Sequence, residues 1–205
     1  MTTLDEAAMH VALDQAQNAR LVGEVPVGAV IYRSTAEGRQ IVATGYNRPI
    51  TDHDPTAHAE IVALRHAAKL LGNYRLPECE IYVTLEPCAM CAMALLHARV
   101  KRVVFGARDP KAGAAGSIVD IFGNPALNHH TEVVAGVLAD ACGETLRSFF
   151  AERREHYRQR RATPTLTLPF DTDAVHGAGS GNTSGAEHAP IPAGESLEID
   201  GEADQ

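Results

Sequence analysis

Ile81-Tyr82-Val83-Thr84-Leu85-Glu86-Pro87-Cys88-Ala89-Met90-Cys91 is the stretch on which the fold turns. Its first five residues are β-branched, aromatic or aliphatic, the composition of a strand buried in a sheet. Pro87 then suits the start of a helix, which the apolar run Ala89 to Leu96 continues. A strand passing straight into a helix is half of an α/β unit. It sets Cys88 and Cys91 at the carboxyl end of a sheet strand, a usual place for ligands in such folds. The two cysteines are three positions apart and so share one helix face.

The neighbouring segments extend the unit in both directions. Leu4 to Val22 has helical periodicity through Leu4, Ala7, Ala8, Val11, Ala12, Gln15 and Ala19. Val25 to Tyr32 predicts a strand and Gln40 to Tyr46 a second, with polar Arg33 to Arg39 as a loose hairpin loop. Asp54-Pro55 reads as an N-cap and first helical residue, followed by Ile61, Leu64, Ala68 and Leu71 at helical spacing. Gly72-Asn73 ends that run. Downstream come a strand at 102–106, a Gly- and Ala-rich loop at 107–117, a strand at 132–137 and a last helix from Asp140 to Arg160. A hairpin followed by α-β-α-β units predicts an α/β fold with a mixed five-stranded sheet flanked by helices.

Charge divides the 205 residues unevenly. Residues 162–205 hold eight Asp or Glu and no Lys or Arg, whereas 1–161 balance 18 acidic against 18 basic side chains. The net charge of −8 therefore belongs to an acidic tail, 162–205. Rich in Gly, Ser, Ala and Pro, that tail buries too little apolar surface to offset its ordering entropy, and disorder is expected there. The folded unit is expected over 1–161, and the acidic pI of 5.6 says nothing against its binding nucleic acid. No segment is long and apolar enough to span a membrane, and the N-terminus lacks a basic–apolar signal pattern. Cytoplasm is the expectation.

His58-Ala59-Glu60 lies about thirty residues before Pro87-Cys88-Ala89-Met90-Cys91. One imidazole and two thiolates make three zinc ligands. A structural zinc is closed by four protein ligands, whereas a catalytic one keeps a position open. On a continuous helix, residues two apart point roughly 200° from each other. His58 and Glu60 can therefore serve one site only from the opening turn of their helix. Two helix N-termini facing one cation would favour thiolates at Cys88 and Cys91. The competing readings are a C-x-x-C redox pair with an unrelated histidine, and a four-cysteine structural zinc that includes Cys79 and Cys142. Neither gives Glu60 a use, and Cys79 and Cys142 read better as buried small apolar residues. The pattern H-x-E…P-C-x-x-C is the general signature of zinc nucleobase deaminases, and these residues match it position for position.

Flanking segments narrow the likeness. Val25-Pro26-Val27-Gly28-Ala29-Val30, Tyr46-Asn47-Arg48-Pro49, His53 to Ile61, Tyr82 to Cys88 and Phe105-Gly106-Ala107-Arg108-Asp109 together resemble the bacterial tRNA-specific adenosine deaminases. The resemblance runs from about residue 4 to residue 160. It implies a cytidine deaminase-like three-layer α/β/α sandwich, a homodimer with one Zn²⁺ per subunit, and a zinc-dependent hydrolase. The reaction implied is conversion of the wobble adenosine (position 34) of an arginine tRNA anticodon to inosine. His58, Cys88 and Cys91 would hold the zinc, and Glu60 would move the protons. The resemblance adds Asn47 as an amide contact to the flipped base and the backbone N–H of Cys88 or Ala57 as further contacts.

An anticodon loop is already unpaired, as chemistry on a base requires. RNA loops are held by aromatic stacking, phosphate contacts and the 2′-OH. Phe149, Phe150 and Arg153 on the last helix are candidates, with Arg154, Arg158, Arg160 and Arg161 extending the charge. One phenylalanine is expected in the core, and an Arg-rich terminal helix can equally be a solvated face. Asp109 either accepts a ribose 2′-OH or caps its own loop. His129-His130 either touches RNA or caps a loop, and Gly113 to Ser117 either cradles a phosphate or, the favoured reading, forms a flexible turn with Gly for unusual φ.

Overall fold

Alternate residues along the strands face opposite layers of the molecule, and the two resulting cores define the architecture. The computed structural model describes residues 3–36 and 38–162. The chain divides into two units, Met1–Pro164 and Thr165–Gln205, and all described residues fall in the first. The expectation for the acidic tail lies outside them, apart from Ala162, which closes the last helix.

The element order is α1 (Thr3–Leu21), β1 (Gly28–Thr35), β2 (Gly38–Tyr46), α2 (Ala59–Leu71), β3 (Cys79–Leu85), α3 (Ala89–His97), β4 (Arg102–Ala107), β5 (Glu132–Ala135) and α4 (Ala139–Ala162). The five strands form one mixed sheet in the order β2-β1-β3-β4-β5. β1 is antiparallel to both β2 and β3, while β3, β4 and β5 run parallel. Ala29, Ile31, Ile81, Val83, Val103 and Phe105 join one core with Ala63 and Leu64 of α2 and Leu95 and Leu96 of α3. Val30, Tyr82 and Val104 point the other way, onto Ala8, Met9 and Ala12 of α1 and Cys142 of α4. Helices thus cover both faces, which is why the central strands read as nearly unbroken apolar runs.

Phe105, Ile31 and Leu95 are fully buried, and each stabilises the fold by roughly 1.5–3 kcal/mol. Gly45 lets α2 lie directly on β2, because a Cβ there would stand 2.4 Å from the Ala59 carbonyl oxygen.

Several boundaries differ from the sequence reading. β1 begins at Gly28 and not Val25, and β1 and β2 stay paired out to Thr35 opposite Gly38, inside the expected loop. On α1 the buried face is Asp5, Ala8, Met9, Ala12, Ala16 and Ala19, one position round from the apolar stripe, and Leu4 is exposed. An ion pair turns the helix. Asp5 accepts from Arg102 Nη1 and Nη2 at 2.8 and 2.9 Å and from the Tyr82 hydroxyl at 2.6 Å. Burying an acid is tolerated when its oxygens are filled in this way.

α2 also starts later than expected. Asp54 Oδ1 accepts the backbone N–H and the hydroxyl of Thr56 at 2.8 and 2.6 Å, a local turn and not a helix cap. After this turn His58 is extended, and the helix begins at Ala59.

Candidate metal centre

Two helix N-termini meet beyond the carboxyl end of β3. His58 is the N-cap of α2 (φ −69°, ψ 155°) and Cys88 the N-cap of α3 (φ −72°, ψ 171°). An N-cap side chain ordinarily turns back to bond the first helical N–H groups. Neither of these does so, and both point into the site. Cys91 joins them from the first turn of α3, fully buried.

The donor atoms fit a zinc ion. His58 Nδ1 stands 3.6 Å from Cys88 Sγ and 3.6 Å from Cys91 Sγ. Zn–S bonds of about 2.3 Å and Zn–N bonds of about 2.0–2.1 Å at a tetrahedral angle require N···S separations of about 3.6 Å. All three donors lie within 4.8 Å of one another, and no fourth His, Cys, Asp or Glu joins them among the described residues. A tetrahedral ion here keeps one position for solvent or substrate.

The charges follow from this crowding. The Cys88 thiol is pulled down to about 4, first by the hydrogen bond from Cys91 and also by His58. Cys91, the donor in that contact and buried, is pushed up. His58 is raised, chiefly by its bond to Cys88. Donors that share protons in this way release them to a divalent cation. Glu60, in the first turn of α2, is 4% exposed, and burial raises its carboxyl to about 7, against the pull of its own backbone N–H and of His58. An acid near neutrality beside an open metal position suits proton transfer in both directions.

The loop from β2 to α2 is fastened at three points. Asn47 Oδ1 accepts the Ala59 N–H at 3.0 Å, which caps α2 from outside and turns the amide NH₂ away from the helix. Arg48 N–H donates to the Ala57 carbonyl at 2.9 Å. Glu24, 2% exposed, accepts the N–H and hydroxyl of Thr51 at 2.7 and 2.9 Å. The Ala57 N–H is held by the Asp54 carbonyl at 3.0 Å, so the base contact expected of that group would compete with an existing bond.

Asp109 Oδ1 accepts the N–H groups of Lys111 and Ala112 at 2.9 and 3.2 Å, which is the loop-capping arrangement, and a ribose contact would fall to Oδ2. Phe149 is buried and Phe150 exposed, their rings edge-to-face at 5.4 Å. The Arg153 guanidinium lies 5.7 Å from the Phe149 ring and 5.9 Å from that of Tyr157. Arg20, Gly23, Phe149, Arg153, Tyr157 and Arg160 line a groove of about 460 Å³ between the end of α1 and α4. Gly23 borders that groove and Glu24 holds the loop leading to His58, so the two regions are joined through adjacent residues. His129 Nε2 is 3.2 Å from the Val100 carbonyl, a loop contact. Cys79 and Cys142 are buried away from the metal cluster.

Two buried acids, Glu24 and Glu86, escaped the sequence reading. A lone acid flanking an apolar strand was the available signal, and by itself it does not reveal a distant partner.

Comparison with known proteins agrees with this geometry. Residues 2–107 match the model of the cytidine and deoxycytidylate deaminase zinc-binding region. A curated Haemophilus influenzae protein, a tRNA-specific adenosine deaminase, is 50% identical over 158 residues, covering 77% of this chain and 90% of its own. A Bacillus subtilis protein of the same name is 42% identical over 159 residues, covering 78% and 96%. A solved structure from a study of A-to-I editing by tRNA:A34 deaminases at the wobble position superposes with a TM-score of 0.63 at 42% identity. It covers 68% of this chain and 99% of that one.

Proposed function

Since the chain belongs to the cytidine and deoxycytidylate deaminase zinc-binding family, in the branch of the tRNA-specific adenosine deaminases, we propose that it deaminates adenosine 34 of a tRNA anticodon loop to inosine, with arginine tRNA as substrate. The observation that carries the reading is a three-donor site with Glu60 buried beside it.

His58, Cys88 and Cys91 would hold the zinc, which would supply Lewis acidity and bring the pKa of a water down toward neutrality. Glu60 takes a proton from the water that adds to C6 of adenine and delivers it to ring N1. It then helps protonate the departing amino group, so that water and adenosine become inosine and ammonia. The Asn47 NH₂ group, left over once Oδ1 is tied to Ala59, donates to the base. Phe150 offers an exposed ring for stacking, and Arg153 with Arg160 brings positive charge to the α1–α4 groove, where the RNA backbone would lie and where Arg20 is paired with Glu152. We further propose a cytoplasmic homodimer, with residues 1–161 as the catalytic unit and 162–205 outside it. No described helix is long and apolar enough to cross a membrane.

The test is inosine detection after incubation with an arginine anticodon stem-loop carrying adenosine or deoxyadenosine at position 34, alongside free adenosine, guanine and cytosine. Inosine at position 34 of the RNA supports the reading. Turnover confined to the free bases or nucleoside overturns it.

A further inference from the structure

Glu86 follows the last residue of β3 and stands two residues before Cys88, the N-cap of α3, and it is 2% exposed. Its carboxylate collects four donors from one loop. Oε1 accepts the N–H groups of Ala115 and Ser117 at 2.9 and 3.1 Å. Oε2 accepts the Asp109 N–H at 3.1 Å and the Ser117 hydroxyl. The backbone is stitched alongside. Glu86 N–H donates to the Ala107 carbonyl at 2.8 Å, and Ala114 N–H to the Pro87 carbonyl at 2.8 Å. Cys88 and Gly113 form an isolated antiparallel bridge. A Cβ at Gly113 would stand 2.5 Å from the Glu86 carboxyl carbon and 2.6 Å from the Asp109 carbonyl oxygen, so the loop packs against Glu86 with no room for a side chain.

The segment read as a turn has the positive φ that such a turn asks of glycine, 111° at Gly116, and four hydrogen bonds pin it to Glu86. Segment 109–117 contains neither helix nor strand. Its part-buried N–H groups need acceptors, and the two oxygens of one carboxylate serve three of them. We propose that Glu86 is a positioning residue for substrate recognition, holding the Asp109–Ser117 loop against Pro87-Cys88 so that RNA meets a preformed wall beside the metal centre. The inference rests on the RNA deaminase reading above. Glu86 acts through the loop, since its four donors are all loop groups. A wall that grips substrate and transition state alike contributes to KM and leaves kcat nearly untouched.

Glu86→Gln is the informative change. A glutamine can turn its oxygen toward the Ala115 and Ser117 N–H groups and its NH₂ toward the Ser117 hydroxyl. The Asp109 N–H then loses its acceptor and faces another donor. The experiment uses the full-length zinc enzyme and reads zinc content, kinetics on the adenosine-34 stem-loop, and amide hydrogen exchange across 109–117. The expected result is unchanged zinc, kcat within about twofold, faster exchange at Asp109, and KM raised about tenfold, the scale of one charge-assisted hydrogen bond. Ser117→Ala removes a single donor and should raise KM about threefold in the same direction. It carries the test if Glu86→Gln does not fold.

Unchanged KM in both variants overturns the proposal. So does a fall in kcat that tracks loss of zinc with KM unmoved, which would make Glu86 a support for Cys88 alone. A wild-type enzyme that makes no inosine on any RNA sinks the deaminase reading instead. Unaltered exchange across 109–117 in Glu86→Gln then still overturns the positioning role.

Discussion

Asn47 accepts the backbone N–H of Ala59 through Oδ1 at 3.0 Å, so α2 is capped by a residue outside it while its own N-cap, His58, turns toward the metal site. The observed cap and the proposed base contact of this asparagine separate by mutation. Asn47→Asp keeps the acceptor and places negative charge at a helix start, which is favourable, but loses the NH₂ donor. Its unfolding free energy should stay within about 0.5 kcal/mol of wild type while kcat/KM on the stem-loop falls about tenfold or more, roughly one lost hydrogen bond. Asn47→Ala should lose activity and about 1 kcal/mol of stability. Denaturant unfolding and steady-state kinetics on both variants check the pair.

Glu60, to which we assign the proton transfers, lies outside the donor cluster. Glu60→Gln should keep one zinc per chain by metal analysis and lower turnover by about 10²-fold or more. Near wild-type inosine formation would remove Glu60 from the proposed chemistry.

Asp5 ties α1 to the sheet through Arg102 and Tyr82, with the side chains of Asp5 and Arg102 5% and 17% exposed across the ion pair. Asp5→Ala leaves a partly buried guanidinium and a hydroxyl without that acceptor. Breaking a buried pair from one side costs about 3–5 kcal/mol. The second partners of Arg102, Glu80 and Glu132, point to the lower end of that range. Equilibrium unfolding in urea measures it, and a change below about 1 kcal/mol, the scale of an exposed pair, would show that the network contributes little.

Asp54 is held at about 2, below its ordinary 3.8, first by the Thr56 hydroxyl, then by the Thr56 N–H and Arg65. A depressed carboxyl contributes stability that is complete above the unfolded value and disappears as pH falls through the folded one. Asp54→Asn should therefore be less stable than wild type above about pH 4, with the gap closing by about pH 2. Unfolding of both proteins across that range tests it. A gap independent of pH would assign the effect to packing.

Periodicity and donor chemistry were legible in the chain itself. Apolar runs at 81–85 and 102–106 marked the parallel core, and helical spacing marked α1, α2 and α4 to within a few residues. His58, Cys88, Cys91 and Glu60 announced a half-open metal site by residue type, because few other uses suit that set.

What local pattern could not carry was partnership across the fold. The start of α2 at Ala59, and with it the aim of His58, depends on Asn47 reaching from the far side of a loop and on Asp54 closing a turn with Thr56. The rotation of α1 depends on Arg102, 97 positions from Asp5. Glu24 and Glu86 look like ordinary surface acids until distant N–H groups converge on them. A strand or helix period states which way a side chain faces. Whether a buried charge is tolerated is settled only when folding brings its hydrogen-bond donors within reach.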